Sequence, residues 1–313
     1  MIPAGLGDLR QQVSDAITRH RLADHREAIL ATLEPCVLLE DPCPKELAKV
    51  QADVRTQMPK FKGFGFNWRA QWLELFAEPS PVGASRIGGL PDLPEGCAWP
   101  EHEGRKLPFI AQLDLASLPR WPEMPLPERG NLWFFCCPCD EIFPPPTAVI
   151  YAEESSLIRV DAPEADELWA MWDGDEGRVE QAVPVRPVLS ISAAPRKVIM
   201  AAGLPPARKA NDPTDQFDKV LGELVDEFNK SGYYDGQQPA GQILGEMTDV
   251  FTSPEEAVPS VLDDRASFRS LLEVGSVGSM MWSDAGLLTF FIRDADLRAG
   301  HFGDVVTSLT GGG

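Results

Sequence analysis

The stretch that decides the fold occurs twice along the chain, about 156 residues apart. The first copy reads Ser85-Arg86-Ile87-Gly88-Gly89-Leu90-Pro91-Asp92-Leu93, and the second reads Gly241-Gln242-Ile243-Leu244-Gly245-Glu246-Met247-Thr248-Asp249. An apolar, strand-like run follows each copy, at 109–114 and at 270–275, and a glycine and an aromatic pair come after it. A repeated unit predicts a pseudo-symmetric body of two related halves, and the seam between such halves is a natural place for a cleft.

The sequence from about residue 64 onward is typical of strands and loops, because prolines and glycines occur every few residues and the apolar runs are short. A long amphipathic helix over 212–231 interrupts this pattern, and short helices are predicted to begin at Ser253 and at Asp294. The predicted strands are 72–76, 109–113, 132–136, 148–151, 157–160, 188–192, 268–274, 287–292 and 305–309.

The first 62 residues lie outside the repeat and show helical spacing of apolar residues over 5–34 and again over 41–59. Pro35 is expected to end the first of these helical stretches. We therefore predict an α+β fold with a helical N-terminal extension over 1–62, packed as a cap on a domain over 63–313. That domain contains the two β-rich halves, about 64–160 and 235–310.

The composition limits the kinds of partner. Of the 313 residues, 48 are Asp or Glu and 28 are Lys or Arg, which gives a net charge of -20. Such a charge opposes binding to nucleic acid and to anionic membranes, so neither is expected as a partner. The N-terminus resembles no signal peptide and no stretch is long enough to span a bilayer, which predicts a cytoplasmic protein. In a reducing compartment its six cysteines are expected to be buried thiols.

The motifs that usually carry chemistry are weak in this sequence. Cys136-Cys137-Pro138-Cys139 is a single crowded cluster with no second pair of cysteines, so no metal site is predicted and the role of the cluster stays open. The glycines at 83–89 lack the Lys-Ser or Lys-Thr of a phosphate-binding loop, and no nucleophile elbow is present. No cofactor is therefore predicted.

The residues that remain as ligand-binding candidates lie in or beside the repeated strands. Alternation along a strand places Gln112 and Asp114 on one face, where they are either buried with partners near Gly88-Gly89 or exposed beside a tryptophan as a ligand site. Burial with partners is the interpretation we favour. The full candidate set is Trp99, Gln112, Asp114, Glu273, Trp282 and Asp284.

The ordered set of motifs resembles the YwqG-like family of uncharacterised bacterial proteins, a domain of unknown function. The resemblance rests on 85–91, Trp99-Pro100, 109–114, 132–135, 241–245 and the ending from Met281 to Phe302, and it covers about 64–309. It implies a bacterial, cytosolic α+β protein with a duplicated sheet and no established activity. Glu273 and Gly275 stand where the family has Gln and Asp, and Gly241-Gln242 stands where it has His-Lys.

Three functional hypotheses follow. The first is a binding or interaction protein that sequesters or neutralises a protein partner, which the acidity and the weak catalytic motifs favour. The second is a module that binds a small molecule or a peptide in the cleft between the repeats. The third is a hydrolase that uses Asp114 and Glu273 as a carboxylate pair. Of these, a non-enzymatic role is the one we favour.

Overall fold

A computed structural model of the chain describes residues 6–58, 67–138, 142–153, 156–171, 178–205, 212–229, 239–246, 258, 262–282 and 284–312. None of the helices in this part of the chain combines the length and apolar character needed to cross a bilayer. The helices here are α1 (Gly7–Arg19), α2 (Arg26–Thr32), α3 (Leu47–Gln57), α4 (Trp68–Phe76), α5 (Pro195–Ala201), α6 (Pro213–Asn229) and α7 (Asp294–Ala299).

The strands form two large antiparallel sheets and two small two-stranded sheets. The order in the six-stranded sheet is β11-β1-β12-β13-β14-β15, and in the five-stranded sheet it is β10-β2-β6-β7-β8. The small sheets pair β3 with β9 and β4 with β5. The strands are β1 (Glu34–Glu40), β2 (Arg86–Ile87), β3 (Asp92–Pro94), β4 (Glu101–His102), β5 (Arg105–Lys106), β6 (Phe109–Asp114), β7 (Asn131–Cys136), β8 (Thr147–Ala152), β9 (Leu157–Arg159), β10 (Val183–Pro184), β11 (Arg186–Ser192), β12 (Gly241–Ile243), β13 (Phe268–Val274), β14 (Asp284–Arg293) and β15 (Val306–Gly312).

The two large sheets pack against each other through one apolar cluster. Alternate residues of the central strands supply it, such as Leu113 of β6 and Val274 of β13, both fully buried. Contacts between the sheets include the rings of Phe134 and Phe290, whose centroids are 5.0 Å apart. Because successive side chains alternate between faces, the polar residues between these apolar positions point away from the shared cluster.

The helices belong to two of the apolar clusters. Helices α1, α2, α5 and α6 form a second apolar cluster with Ile191 of β11, while α3 and α4 supply Val50 and Leu73 to the cluster between the sheets. The far face of the five-stranded sheet carries Trp133 and Phe135, which pack with Trp99 in a third cluster. An α+β fold with a helical N-terminal region is therefore confirmed.

Two local predictions are wrong. The N-terminal region also supplies β1, which lies inside the six-stranded sheet between β11 and β12, although Pro35 was expected only to end a helix. The predicted strand at 72–76 is instead the end of α4, whose first turn is capped by the Asn67 side chain accepting a hydrogen bond from the Ala70 amide at 3.0 Å. Trp68, Trp72 and Phe76 recur every four residues, which is helical spacing.

The other predicted strands are present with small shifts at their ends, and so is the long helix, as α6. The short helix predicted at Asp294 is α7, and it ends at Gly300 in the left-handed conformation with φ 70°. The helix predicted to begin at Ser253 lies outside the described residues. The boundary between an extension and a domain at residue 62 stays a prediction.

The two repeated stretches occupy matching places in the two sheets. Strands β2, β6, β7 and β8 follow one another in one sheet as β12, β13, β14 and β15 do in the other. Arg86 pairs with Gln112 in the first set, and Gln242 pairs with Glu273 in the second.

Local irregularities recur at the same places. The register shifts once between β6 and β7, around Ile110, and once between β13 and β14, around Leu271. Left-handed backbone follows each short strand, at Gly88-Gly89 and at Leu244-Gly245. These shared features agree with the predicted duplication, which stays a prediction.

Candidate functional site

Gln112 belongs to a buried polar network at the start of the five-stranded sheet. Its side-chain amide donates to the Asp92 carboxylate at 3.0 Å and to the Ala84 carbonyl at 2.9 Å, and its side-chain carbonyl accepts from the Asp92 amide at 2.9 Å. Gln112 is fully buried. It therefore ties the loop before β3 to β6, which is the structural role that we favoured for it.

Asp92 is the centre of this network. Its carboxylate accepts hydrogen bonds from the Arg86 guanidinium at 2.7 Å, the Arg159 guanidinium at 2.8 Å and the Gly83 amide at 2.8 Å. Burial alone would raise the pKa of Asp92, but these donors outweigh it and hold the pKa well below its usual range. Arg86 and Asp92 are both buried, so the ion pair joins parts of the chain rather than facing a ligand.

Asp114 is half-buried at the end of β6 and caps the short helical turn that follows. Its carboxylate accepts from the Ala116 amide at 3.1 Å, and its own amide donates to the Ser85 hydroxyl at 2.9 Å. This is the geometry of an N-cap, in which a short acidic side chain satisfies an amide that the turn leaves unpaired.

We expect Asp114→Ala to lower the free energy of unfolding by about 1 kcal/mol, because it removes this cap. Asp114→Asn keeps an oxygen that can accept the same hydrogen bond, so its effect should be a few tenths of a kcal/mol. Urea unfolding followed by tryptophan fluorescence would measure both. If Asp114→Asn cost as much as Asp114→Ala, the charge and not the cap would be what matters.

The two candidate tryptophans lie in different places. Trp99 donates to the Leu107 carbonyl at 2.8 Å and packs edge-on against Phe135, on the far face of the five-stranded sheet. Trp282 is fully buried in the cluster between the sheets and donates to the Gly275 carbonyl at 3.0 Å. They do not line a common groove. Asp284 begins β14, and its side chain is outside the described part of the structure.

Glu273 lies on the face of the six-stranded sheet that is turned away from the five-stranded sheet. It pairs across the strands with Gln242 and Thr289, and it is almost completely buried. Asp114 also points away from the shared cluster, but from the opposite sheet. The structure therefore does not bring Asp114 and Glu273 together, and the carboxylate pair needed for the hydrolase hypothesis is not formed.

The cysteines of the crowded cluster point to opposite faces, as strand alternation predicts. The Cys136 thiol lies 3.2 Å from the Thr307 hydroxyl between the two sheets, and the Cys137 thiol donates to the Ala170 carbonyl at 3.4 Å. Cys139 is outside the described residues. Where the structure describes the chain, no group of three or more His, Cys, Asp or Glu residues is arranged to hold a metal ion.

An open cleft of about 610 Å³ lies where the two halves meet, and we call it the seam cleft. Its first wall is the loop at 123–127 together with Tyr151 of β8, and its second wall is the end of α7 at 297–300. Pro125, Pro127 and Tyr151 are half-buried and give it apolar surface. Met124, Leu126 and Leu297 also line it, but they are buried and expose little of their side chains. None of the six candidate residues lines it.

The loop at 123–127 is held by hydrogen bonds from the Arg120 side chain to its backbone carbonyls. Arg120 donates to the carbonyls of Leu126 and Pro127, the second at 2.8 Å. Tyr151 packs its ring against Phe302 at a centroid distance of 5.4 Å and directs its hydroxyl to the Arg129 carbonyl at 3.3 Å. The loop and the second half of the chain are thus joined around the cleft.

The rim of the seam cleft carries ion pairs. The Arg298 guanidinium bonds the Asp294 carboxylate at 2.7 Å, and this bond raises the pKa of Arg298. Arg129 bonds Glu153 at 2.8 Å, and Glu123 is exposed at the edge. The carboxylates of Asp294 and Glu153 and the two guanidiniums are paired with each other, so the exposed Glu123 is what adds negative charge to the lining of the cleft.

The family model described as "Domain of unknown function (DUF1963)" matches residues 85–310. The chain belongs to this family. No curated protein matches the chain. The narrower name YwqG-like, given above from the resemblance, stays a prediction.

The DUF1963 match spans both walls of the seam cleft and nearly all of the two large sheets. It leaves out β1 and the last residues of β15. It begins at Ser85, so helices α1–α4 and strand β1 lie before it. The repeat predicted a cleft at the seam between the halves, but it did not single out the residues that line this one. The three prolines at 122, 125 and 127 are a signal that could have marked the loop in its first wall.

Proposed function

We propose that this protein is a non-enzymatic binding protein that holds an extended segment of a protein partner in the seam cleft and thereby sequesters that partner. The observation that carries the proposal is the cleft itself, which is open, is lined in part by half-buried apolar residues and draws one wall from each half of the chain. Clefts of this size that combine apolar lining with a few polar groups are typical binding sites.

The hydrogen bonds of the polar candidate residues favour a binding role over a catalytic one. Gln112 and Asp92 bond each other, Asp92 also bonds the buried Arg86, and Asp114 caps a turn. A catalytic acid or base has to reach a bound substrate, and these groups are directed at the protein's own backbone and side chains. This favours the first functional hypothesis over the third.

The chemistry of the cleft suggests the chemistry of the partner. A net charge of -20 attracts cationic molecules at long range, and the exposed Glu123 lines the cleft. The half-buried Pro125, Pro127 and Tyr151 in its first wall suit an apolar side chain. A segment with positive charges around an apolar anchor fits both features.

The same volume also fits a small molecule, since pockets of about 300–1,000 Å³ hold drug-sized ligands. Its open shape favours a ligand that extends beyond it, so a peptide segment is the first choice. A small apolar ligand remains the second candidate, and the experiment below separates the two.

The test uses a displayed library of random nine-residue peptides selected on the intact protein. Ala299 is exposed and lines the cleft, whereas Ala295 is exposed on the same helix away from it. We expect Ala299→Trp to fill the cleft and weaken the selected peptides by about ten-fold or more, and Ala295→Trp to leave them unchanged. Equal binding to both variants, or no enriched peptide, would overturn the proposal, and a screen that returned only small apolar compounds would favour the second candidate.

A further inference from the structure

Strand β8 is the edge of the five-stranded sheet beside the seam cleft. Within the described residues it pairs with β7 alone, through six consecutive residues with no shift of register. An edge strand leaves a row of backbone N–H and C=O groups without partners on its outer side, and such a row can accept another strand. Tyr151 belongs both to this strand and to the wall of the cleft.

The sequence of β8 lacks the features that usually protect an edge. Its six residues, Thr147-Ala148-Val149-Ile150-Tyr151-Ala152, contain no charge, proline or glycine, although 24% of the chain is charged. Natural sheets usually protect an exposed edge with charges, prolines, bulges or a very short strand. The regular pairing with β7 shows that no bulge turns this edge away.

Other edges of the same molecule do carry such protection. Strand β11 begins with Arg186, whose side chain is 77% exposed and bonds Glu40, and Pro187 follows. Strand β10 has two residues, and the second is Pro184. The opposite edges of the two sheets are β8 and β15, and they differ from β10 and β11 in this respect. These two edges lie beside each other, with the Thr147 hydroxyl 2.6 Å from the Thr307 hydroxyl.

We propose that an extended segment of a cationic protein adds to β8 as a sixth strand of the five-stranded sheet and continues into the seam cleft. This inference rests on the proposed function and names how the partner is held. Main-chain hydrogen bonds to β8 supply affinity, and the cleft selects a side chain, which is the general logic of strand addition.

The two faces of β8 set the pattern that the added strand should have. Val149 and Tyr151 pack toward the cluster between the sheets, while Ala148, Ile150 and Ala152 pack toward the cluster around Trp133. An added strand alternates in the same way, so its apolar residues at every second position can extend one cluster. Six residues of β8 offer about 20 Å of edge.

Charge favours a basic partner over a second copy of this chain. Two copies would each bring a net charge of -20 to one interface. Glu123 is exposed and lines the cleft, and Glu153, which directly follows β8, is exposed and bonds Arg129. A segment with lysines or arginines at alternate positions would place opposite charges near them, which raises the association rate and selects against acidic segments.

The test uses three nine-residue peptides with the intact protein. The first alternates lysine and valine, the second alternates glutamate and valine, and the third is the lysine peptide with its valine amides N-methylated. We expect the lysine peptide to bind and to slow amide exchange in 147–152 by about ten-fold, and the other two to bind at least about ten-fold more weakly. N-methylation removes main-chain donors without changing charge, so it isolates the strand pairing.

A pair of matched variants adds a second readout. Ile150→Lys places a like charge on the β8 edge, while Ile158→Lys makes the same change on β9, where Ile158 is 48% exposed. The first should weaken the lysine peptide by about ten-fold and the second should not. If Ile150→Lys does not fold, the comparison of the three peptides on the unsubstituted protein still tests strand addition.

The outcomes separate this inference from the proposed function. Slowed exchange at 123–127 and 297–300 with no change at 147–152 would overturn strand addition and leave binding in the cleft standing. Equal binding of the N-methylated peptide would also overturn strand addition. Sedimentation that shows a dimer with 147–152 already protected would make a second copy the occupant, and absence of binding by the lysine peptide would count against strand addition by a cationic segment.

Discussion

Replacing Asp92 with alanine is expected to lower the free energy of unfolding by about 3–5 kcal/mol, the cost typical of breaking a buried ion pair from one side. The variant leaves the Arg86 guanidinium buried without its carboxylate, and Arg86 is 1% exposed. It also removes the acceptor for the Gly83 amide and for Gln112. Urea unfolding at pH 7 would measure the change.

The matched control is Asp161→Ala, because Asp161 is exposed. A surface substitution of this kind usually changes stability by no more than about 0.5 kcal/mol. A loss at Asp92 no larger than the loss at Asp161 would show that the network around Asp92 contributes little to folding.

The same network predicts how stability depends on pH. The pKa of Asp92 is held below its usual range in the folded protein, so the unfolded chain takes up a proton at this site first as the pH falls. The stabilisation is therefore complete above the unfolded pKa of about 3.9 and is lost as the pH falls through the folded pKa. The stability difference between the protein and Asp92→Ala should narrow between pH 4 and pH 2.

The strands that the sequence predicted correctly share a physical property. At 109–113, 132–136 and 287–292, the chain has runs of large apolar and aromatic residues long enough to cross a sheet that is buried on both faces. Strand β1 was missed because its apolar run is short and follows Pro35, and a proline at the end of a helix suggests a stop rather than a strand. Its place in the sheet depends on β11 and β12, which are distant in sequence.

The candidate site shows a different limit of sequence reasoning. The sequence pattern of a polar residue on a strand is the same whether its side chain binds a ligand or a neighbouring loop. The hydrogen bonds of Gln112 with Ala84 and Asp92 therefore could not be predicted from the sequence. The repeat predicted a cleft between the halves, but none of the predicted candidate residues lines the seam cleft. Its walls, at 123–127 and 297–300, contain no motif, because they are joined by packing and not by any shared sequence pattern.

Replacing Gly88 with alanine is the other substitution expected to have a large effect. Gly88 has φ 67°, and its amide donates to the Ile110 carbonyl at 2.8 Å. A Cβ atom added there would lie 2.2 Å from the backbone carbonyl oxygen of Gln181, much closer than atoms can approach. Left-handed backbone costs about 1–2 kcal/mol for a residue with a Cβ atom, and overpacking costs about 1–3 kcal/mol more.

Leu244, the position in the second repeated stretch that matches Gly88, separates the cost of left-handed backbone from the cost of overpacking. Leu244 follows β12 as Gly88 follows β2, and it has φ 58° with its side chain buried in the cluster between the sheets. A side chain is therefore accepted in this conformation where the surroundings leave room. The need for glycine at Gly88 comes from the segment that includes Gln181, which lies directly over it.

We accordingly expect Gly88→Ala to lower the free energy of unfolding by about 2–5 kcal/mol. Gly203→Ala is the control, because Gly203 has φ 68° and an added Cβ atom there would meet nothing within 4 Å. It should show the conformational cost alone, about 1–2 kcal/mol. Urea unfolding of both variants would measure the difference, and equal losses would mean that the chain around Gln181 moves aside freely, so that the close contact between Gly88 and this segment contributes little to stability.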